Sequence, residues 1–127
     1  MYRIWKEFHF SASHQLFGLA EDHPCARLHG HNYVVEVELQ AKDLDPTGFV
    51  RDYRDLSAFK SYVDDQLDHR HLNDILGDDG VTAERLARHF YEWCKARWPE
   101  VGAVRVKETP KTCAEYRPAP AVIGNAT

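Results

Sequence analysis

Residues 2–12, YRIWKEFHFSA, and residues 31–41, HNYVVEVELQA, decide the fold class. In the first stretch Tyr2, Ile4, Phe8, Phe10 and Ala12 share one parity, broken only by Lys6. In the second, Tyr33, Val35, Val37 and Leu39 fall on one face, with Glu36, Glu38 and Gln40 on the other. A period of two with one apolar face marks a half-buried strand. The two strands are separated by a stretch rich in polar and turn-forming residues, from Gly18 to Arg27, and hairpin-like neighbours of this kind favour antiparallel pairing.

Working outward, Asp45-Pro46-Thr47-Gly48 reads as a β-turn, with Pro pre-set for the second position and Gly for the fourth. Phe49 and Val50 are expected to form a short return strand. Asp52 is placed to cap a helix whose apolar positions Leu56, Phe59, Val63 and Leu67 follow helical spacing and fade near Asp68–Asn73. After a loop at Gly77–Gly80, Thr82 caps a second helix with the stripe Leu86, Phe90, Trp93 and Cys94, stopped before Pro99. Val101–Thr109 and Ala114–Arg117 read as two further strands. The order strand, strand, helix, helix, strand, strand predicts an α+β domain, an antiparallel sheet with both helices on one face. One domain over residues 1–117 is expected, with a loose tail over 118–127.

The chain has 127 residues, enough for one core, and is 43% hydrophobic and 28% charged, as ordinary globular proteins are. The net charge of −4 is interleaved along the chain without a basic stripe, which argues against nucleic acid as a partner. A small anionic substrate needs only a few local cations and stays open. The chain carries neither the apolar run of an export signal nor one long enough to span a membrane. Three scattered cysteines, Cys25, Cys94 and Cys113, then read as free thiols of a cytoplasmic protein.

Eight histidines are the unusual feature. In His29-Gly30-His31 an extended backbone would point both imidazoles to one face, about 6.5–7 Å apart along the strand, so that rotamers must converge them on a shared ion. His14 follows the first strand and supplies a possible third nitrogen. Three neutral imidazoles leave one tetrahedral position open, the pattern of catalytic rather than structural zinc. His14 continues the buried face of Phe8, Phe10 and Ala12; His29 and His31 continue that of Tyr33 and Val35; Glu108 continues that of Val104 and Val106. Four polar groups thus extend the buried faces of three strands, as expected of a pocket at one end of a sheet. The plainer alternative is a set of packed histidines, since a bare HxH is a weak motif.

Phe10-Ser11-Ala12-Ser13-His14 and Cys25-Ala26-Arg27-Leu28-His29-Gly30-His31-Asn32-Tyr33 resemble the 6-pyruvoyltetrahydropterin synthase superfamily. Leu67-Asp68-His69-Arg70-His71-Leu72-Asn73-Asp74 and Val106-Lys107-Glu108-Thr109 match two further blocks in the same order, so the resemblance spans Tyr2 to Arg117. The short spacing from Cys25 to His29 is similar to that of the bacterial 6-carboxy-5,6,7,8-tetrahydropterin synthases of queuosine biosynthesis. The resemblance implies a T-fold: a four-stranded antiparallel sheet with two helices, assembled as a barrel-like trimer and usually a hexamer, with active sites between subunits. It implies zinc on His14, His29 and His31, Cys25 as catalytic base, Asp68 and His69 as a proton-relaying pair, and Glu108 as the pterin anchor. Thr82 stands where relatives contact the pterin. The implied substrate is 7,8-dihydroneopterin triphosphate, and the products are 6-carboxytetrahydropterin, acetaldehyde and triphosphate.

The residue types suit that chemistry, and each also has a plainer role. A thiolate is a competent base if a nearby cation lowers its pKa, whereas an inert loop thiol is the ordinary alternative. Asp68-His69 could be a charged helix end, and His71 is a second candidate. Glu108 could simply be salt-bridged, and Thr82 could simply cap its helix. Lys6, Arg27 and Lys111 are possible partners of a triphosphate. Three other functions remain: elimination of triphosphate alone to give 6-pyruvoyltetrahydropterin, a zinc hydrolase, which would not need Cys25, and a non-enzymatic metal-binding module.

Overall fold

The computed structural model of the protein describes residues 1–120. Both diagnostic stretches are strands, each longer than its alternation required. Strand β1 runs Tyr2–His14 and β2 His29–Ala41, and they pair antiparallel from Tyr2 opposite Ala41 to His14 opposite His29. Strand β4, Val101–Lys107, pairs antiparallel with β2, and β5, Ala114–Tyr116, with β4. The register slips between Glu38 and Leu39, so that Val101 faces Leu39 and Ala103 faces Glu38. This bulge brings Val101 onto the same core face as Val104 and Val106.

The expected four-stranded antiparallel sheet is corrected in one respect. A two-residue strand β3, Arg70–His71, lies parallel to β1 beside Ala12 and Ser13, giving a five-stranded mixed sheet of order β3-β1-β2-β4-β5. The sheet is open, with β3 and β5 at its edges. The expected return strand at Phe49 and Val50 is also absent. The Asp45 carboxylate accepts the N–H groups of Thr47 and Phe49, each at 2.9 Å, and Gly48 takes φ +90°. The loop therefore satisfies its backbone internally and has no ladder to offer.

Asp52 caps the first helical segment as expected, accepting Arg54 N–H at 2.9 Å. That segment is a composite: a 3-10 turn Tyr53–Leu56, α1 Ser57–Tyr62, and a π-turn Val63–Leu67 closed by Asp68 N–H on Val63 O. A short α2, Leu72–Leu76, precedes α3, Ala83–Lys95, which Thr82 caps by accepting Arg85 N–H at 3.2 Å. The helices lie on one face of the sheet. Phe59 meets Phe8 edge-on at 4.9 Å and Phe90 at 5.5 Å, while Phe90 reaches Phe10 at 6.1 Å. The other face carries Glu36, Glu38, Arg105, Glu115 and Arg117, a row of ion pairs across β2, β4 and β5. Pro118–Pro120 is exposed and without regular structure, and the rest of the expected tail lies outside the described residues.

Candidate active site

The site sits where the buried faces of β1, β2 and β4 run out of apolar residues. His14 and His29 are opposite one another in the β1–β2 ladder, and His31 faces Ala12 one pleat back. Gly30 lets the two strands close up here, since a Cβ at this position would stand 3.3 Å from the Ala12 carbonyl. The metal-ligand atoms of His14, His29 and His31 all lie within 4.8 Å of one another. The 6.5–7 Å separation along the strand is therefore closed by rotamers, as the shared face allowed.

The hydrogen bonds fix the chemical state of two rings. His14 Nδ1 is 2.7 Å from the Val81 carbonyl, and His29 Nδ1 is 2.7 Å from the Arg27 carbonyl. A carbonyl only accepts, so both Nδ1 atoms carry the proton. The Nε2 atoms of His14 and His29 then bring lone pairs together at 2.9 Å. Two acceptors at that distance repel unless a cation or a proton lies between them. The donor set fits zinc: three imidazole nitrogens, two of them oriented by carbonyls behind them. Burial lowers the pKa of His14, partly offset by its bond to Val81, and lowers that of His31, with His29 adding to the effect. The neutral ligand form is thereby favoured.

Glu108 completes the cluster. It stands one residue beyond β4, on the face of Val104 and Val106, with Oε2 at 3.3 Å from His14 Nε2 and 3.5 Å from His31 Nε2. Burial raises its pKa, and the nearby Glu84 raises it further, while His29 pulls the other way. Such a carboxylate is under-solvated and would gain from a ligand bringing two N–H donors. Thr82 is adjacent in sequence to Val81, whose carbonyl holds His14, but its hydroxyl is engaged in capping α3.

Cys25 lies in a 3-10 turn, Pro24–Ala26, half-buried, in the segment joining β1 to β2. Asp68 and His69 touch each other, with Oδ2 of Asp68 2.9 Å from His69 Nδ1. Asp68 Oδ1 also accepts Ser11 N–H at 2.9 Å, and the His69 N–H donates to the Ser11 carbonyl at 2.6 Å. His69 takes φ +59°, the left-handed turn that brings its side chain back onto Asp68. The Ser11 N–H and the His69 side chain hold the Asp68 carboxyl below the usual carboxylate range. His71 is engaged elsewhere, with Nδ1 2.9 Å from Ser13 Oγ.

His14, His29, His31 and Glu108 thus converge, whereas among the described residues no hydrogen bond joins the Cys25 turn to Asp68 or His69. The turn is tied to Leu16 and the pair to Ser11. Those anchors are five residues apart, at most roughly 16 Å if that chain were fully extended at about 3.3 Å per residue. The sequence reading missed several participants: the Val81 and Arg27 carbonyls, and Tyr33, whose buried hydroxyl has no hydrogen-bond partner among the described residues and whose ring lies 5.5 Å from His31. Tyr33 was readable as a core residue only, and backbone carbonyls leave no mark on a side-chain pattern.

A family profile described as 6-pyruvoyl tetrahydropterin synthase matches residues 3–119. The chain is 36% identical over 126 residues to a 6-carboxy-5,6,7,8-tetrahydropterin synthase of Synechocystis sp., covering 91% of this chain and 93% of the relative. It is 31% identical to the Bacillus subtilis protein of the same name, covering 92% and 86%. The solved structure of Caenorhabditis elegans 6-pyruvoyl tetrahydropterin synthase superposes with a TM-score of 0.80 at 30% identity, over 93% of this chain and 96% of that one.

Proposed function

Because the chain belongs to the 6-pyruvoyl tetrahydropterin synthase family, we propose that it is a zinc-dependent carbon–carbon lyase. It takes 7,8-dihydroneopterin triphosphate and water to 6-carboxy-5,6,7,8-tetrahydropterin, acetaldehyde and triphosphate, in the cytoplasm, as a step toward queuosine. The names of the two bacterial relatives support the carboxy-forming reaction. The observation that carries the site assignment is the meeting of two imidazole Nε2 atoms at 2.9 Å beside Glu108, each ring held from behind by a carbonyl on its Nδ1.

Zinc on His14, His29 and His31, when bound, would draw electron density from the substrate's side-chain oxygens and acidify the neighbouring C–H and O–H groups. Glu108 would accept the 2-amino and N3–H protons of the pterin ring, a bidentate pairing that relieves its poor solvation and fixes the ring's direction. Cys25, as thiolate, would remove a proton from the substrate side chain. Asp68, accepting the Nδ1–H of His69, would leave His69 Nε2 to take up and return protons. Thr82 would hold the pterin edge from the start of α3.

The lack of a hydrogen bond between the Cys25 turn and the Asp68–His69 pair among the described residues supports a composite site in a homo-oligomer, for which the family resemblance implies a trimer closing to a hexamer. Tyr2, Trp5, Phe49 and Tyr53 are 45–55% exposed, apolar surface of the kind that assembly covers. Among the described residues no helix is long and apolar enough to cross a membrane.

The likeness to the Caenorhabditis elegans enzyme favours a second reading, elimination of triphosphate to 6-pyruvoyltetrahydropterin. A product assay on zinc-loaded protein separates the two. Acetaldehyde with a 6-carboxypterin supports the lyase, and triphosphate with a pyruvoyl product and no acetaldehyde overturns it in favour of elimination. Replacing Cys25 with Ala should abolish either reaction.

A further inference from the structure

We propose that His23 and Gln15 are positioning residues that clamp the Cys25 turn against the end of β1 and so set where the Cys25 thiol stands relative to His14. The role of the thiol rests on the lyase reading; the clamp itself stands on its hydrogen bonds.

A single 3-10 turn does not hold itself together, because it fixes several backbone angles for few hydrogen bonds. The turn Pro24–Ala26 therefore depends on what its polar groups meet. Pro24 has no N–H. The Ala26 N–H donates to the His23 carbonyl at 2.9 Å and the Arg27 N–H to the Pro24 carbonyl at 3.2 Å. The Cys25 N–H, early in the turn, has no partner of that kind and donates instead to His23 Nδ1 at 3.0 Å. Histidine is not among the preferred capping residues, yet here its ring occupies the place usually taken by the oxygen of Asn, Asp or Ser.

The carbonyl side is held from β1. The Leu16 N–H donates to the Cys25 carbonyl at 3.0 Å, and the Gln15 Nε2 to the Ala26 carbonyl at 2.9 Å. Gln15 follows His14 directly, and its own backbone is pinned by the buried Asn73. Asn73 Oδ1 accepts the Gln15 N–H at 2.9 Å, and its Nδ2 donates to the Gln15 carbonyl at 2.8 Å. The strand end carrying His14, the turn carrying Cys25 and the segment following Asp68–His69 are thereby tied through one residue. Two of the ties are side chains that sit outside the histidine cluster, His23 and Gln15. Misplacing a reacting group by about 1 Å costs on the order of 100-fold in rate, so small contacts of this sort are catalytically visible.

The test uses the full-length, zinc-loaded protein carrying Cys113→Ser, which removes the exposed thiol and leaves Cys94 buried. In that parent, His23→Ala, His23→Asn and Gln15→Ala are compared for kcat, KM, zinc content and the rate of Cys25 alkylation by iodoacetamide. His23→Ala and Gln15→Ala should lower kcat about tenfold or more while KM and zinc content stay close to the parent's. The Cys25 alkylation rate should shift in both. His23→Asn, whose side-chain oxygen can take the same N–H, should recover kcat to within about threefold and restore the alkylation rate.

Parent-like kcat and alkylation in His23→Ala and Gln15→Ala overturn the clamp. So does His23→Asn as impaired as His23→Ala, which means that the imidazole itself is used. If the parent forms no pterin product, the lyase reading fails and the alkylation rates alone decide: equal rates in parent and His23→Ala sink the clamp, and a shift reversed by Asn sustains it. Should His23→Ala not fold, Gln15→Ala decides the matter from the other side of the turn, by the same shift in kcat and alkylation or its absence.

Discussion

The contact between His14 and His29 is the most informative at the scale of single residues, because each ring has already committed its N–H to a carbonyl. Zinc should therefore bind at one ion per chain, measured by metal analysis after removal and back-titration. Binding to the folded state alone raises stability by about 2.7 kcal/mol when free zinc is 100-fold above Kd, so a chelator should lower Tm and zinc restore it. His29→Ala should lose both the ion and the zinc-dependent rise in Tm; an unchanged zinc content would refute the ligand assignment. Glu108→Gln keeps shape but gives up the charged acceptor, a loss of about 1.5–3 kcal/mol for a hydrogen bond to a charged group. Its kcat/KM should fall about ten- to a hundredfold with zinc retained. The three histidines and Glu108 were legible because all four continue a buried parity into polar residues. The Val81 and Arg27 carbonyls that orient the rings were not, because their position depends on where loops and α3 begin rather than on residue type.

At the scale of elements, alternation and capping were legible where many residues repeat one rule. β1, β2 and α3 each bury a face readable from spacing alone, and β4 does so at Val104 and Val106, while its bulge brings in Val101 as well. The π-turn Val63–Leu67 and the two-residue β3 were not, since one i+5 bond and one short ladder leave no periodic trace. They nevertheless deliver Asp68 and His69 to the edge of β1. Thr82→Ala should cost about 1 kcal/mol through loss of the α3 cap, measured by urea unfolding, while Thr82→Ser should not. If Thr82 also meets the pterin, Thr82→Ala will raise KM beyond what that stability loss explains. The outer face of the sheet gives a pH dependence. Hydrogen bonds from Arg105 hold Glu36 and Glu115 below the usual carboxylate range, and Arg117 and Arg105 do so for Glu38 against the opposing effect of burial. Groups with lowered folded pKa stabilise the protein above their unfolded value, about 4.3 for Glu, and that stability disappears as pH falls through the folded values. Urea midpoints should begin to fall below about pH 6.5, where burial makes His14 and His31 resist the protonation that the unfolded chain accepts. They should fall more steeply below about pH 4 as the carboxylates protonate. Glu38→Gln should flatten that fall, and a slope equal to the parent's would mean that Glu38 is not held ionised by the arginines.

At the scale of the whole molecule, the open sheet and the separation of Asp68–His69 from the Cys25 turn point the same way. Edges and exposed aromatics are liabilities in a monomer and are removed when a sheet closes with copies of itself. His69 is 82% exposed with its ring oriented by Asp68, which leaves the ring accessible to a neighbouring subunit. A subunit-mixing experiment tests this directly. Cys25→Ala and His69→Ala homo-oligomers should each be inactive. If a site takes Cys25 from one subunit and His69 from another, random mixing of equal amounts after dissociation and reassembly restores both groups to about a quarter of the sites. Activity should therefore rise from near zero to about one quarter of the parent's. If both residues serve the site of their own subunit, every site in the mixture lacks one of them, and activity stays near zero. Sedimentation of the reassembled mixture at the parent's mass is the control that separates absent complementation from failed assembly, and a sedimenting monomer of the parent would itself exclude the composite site.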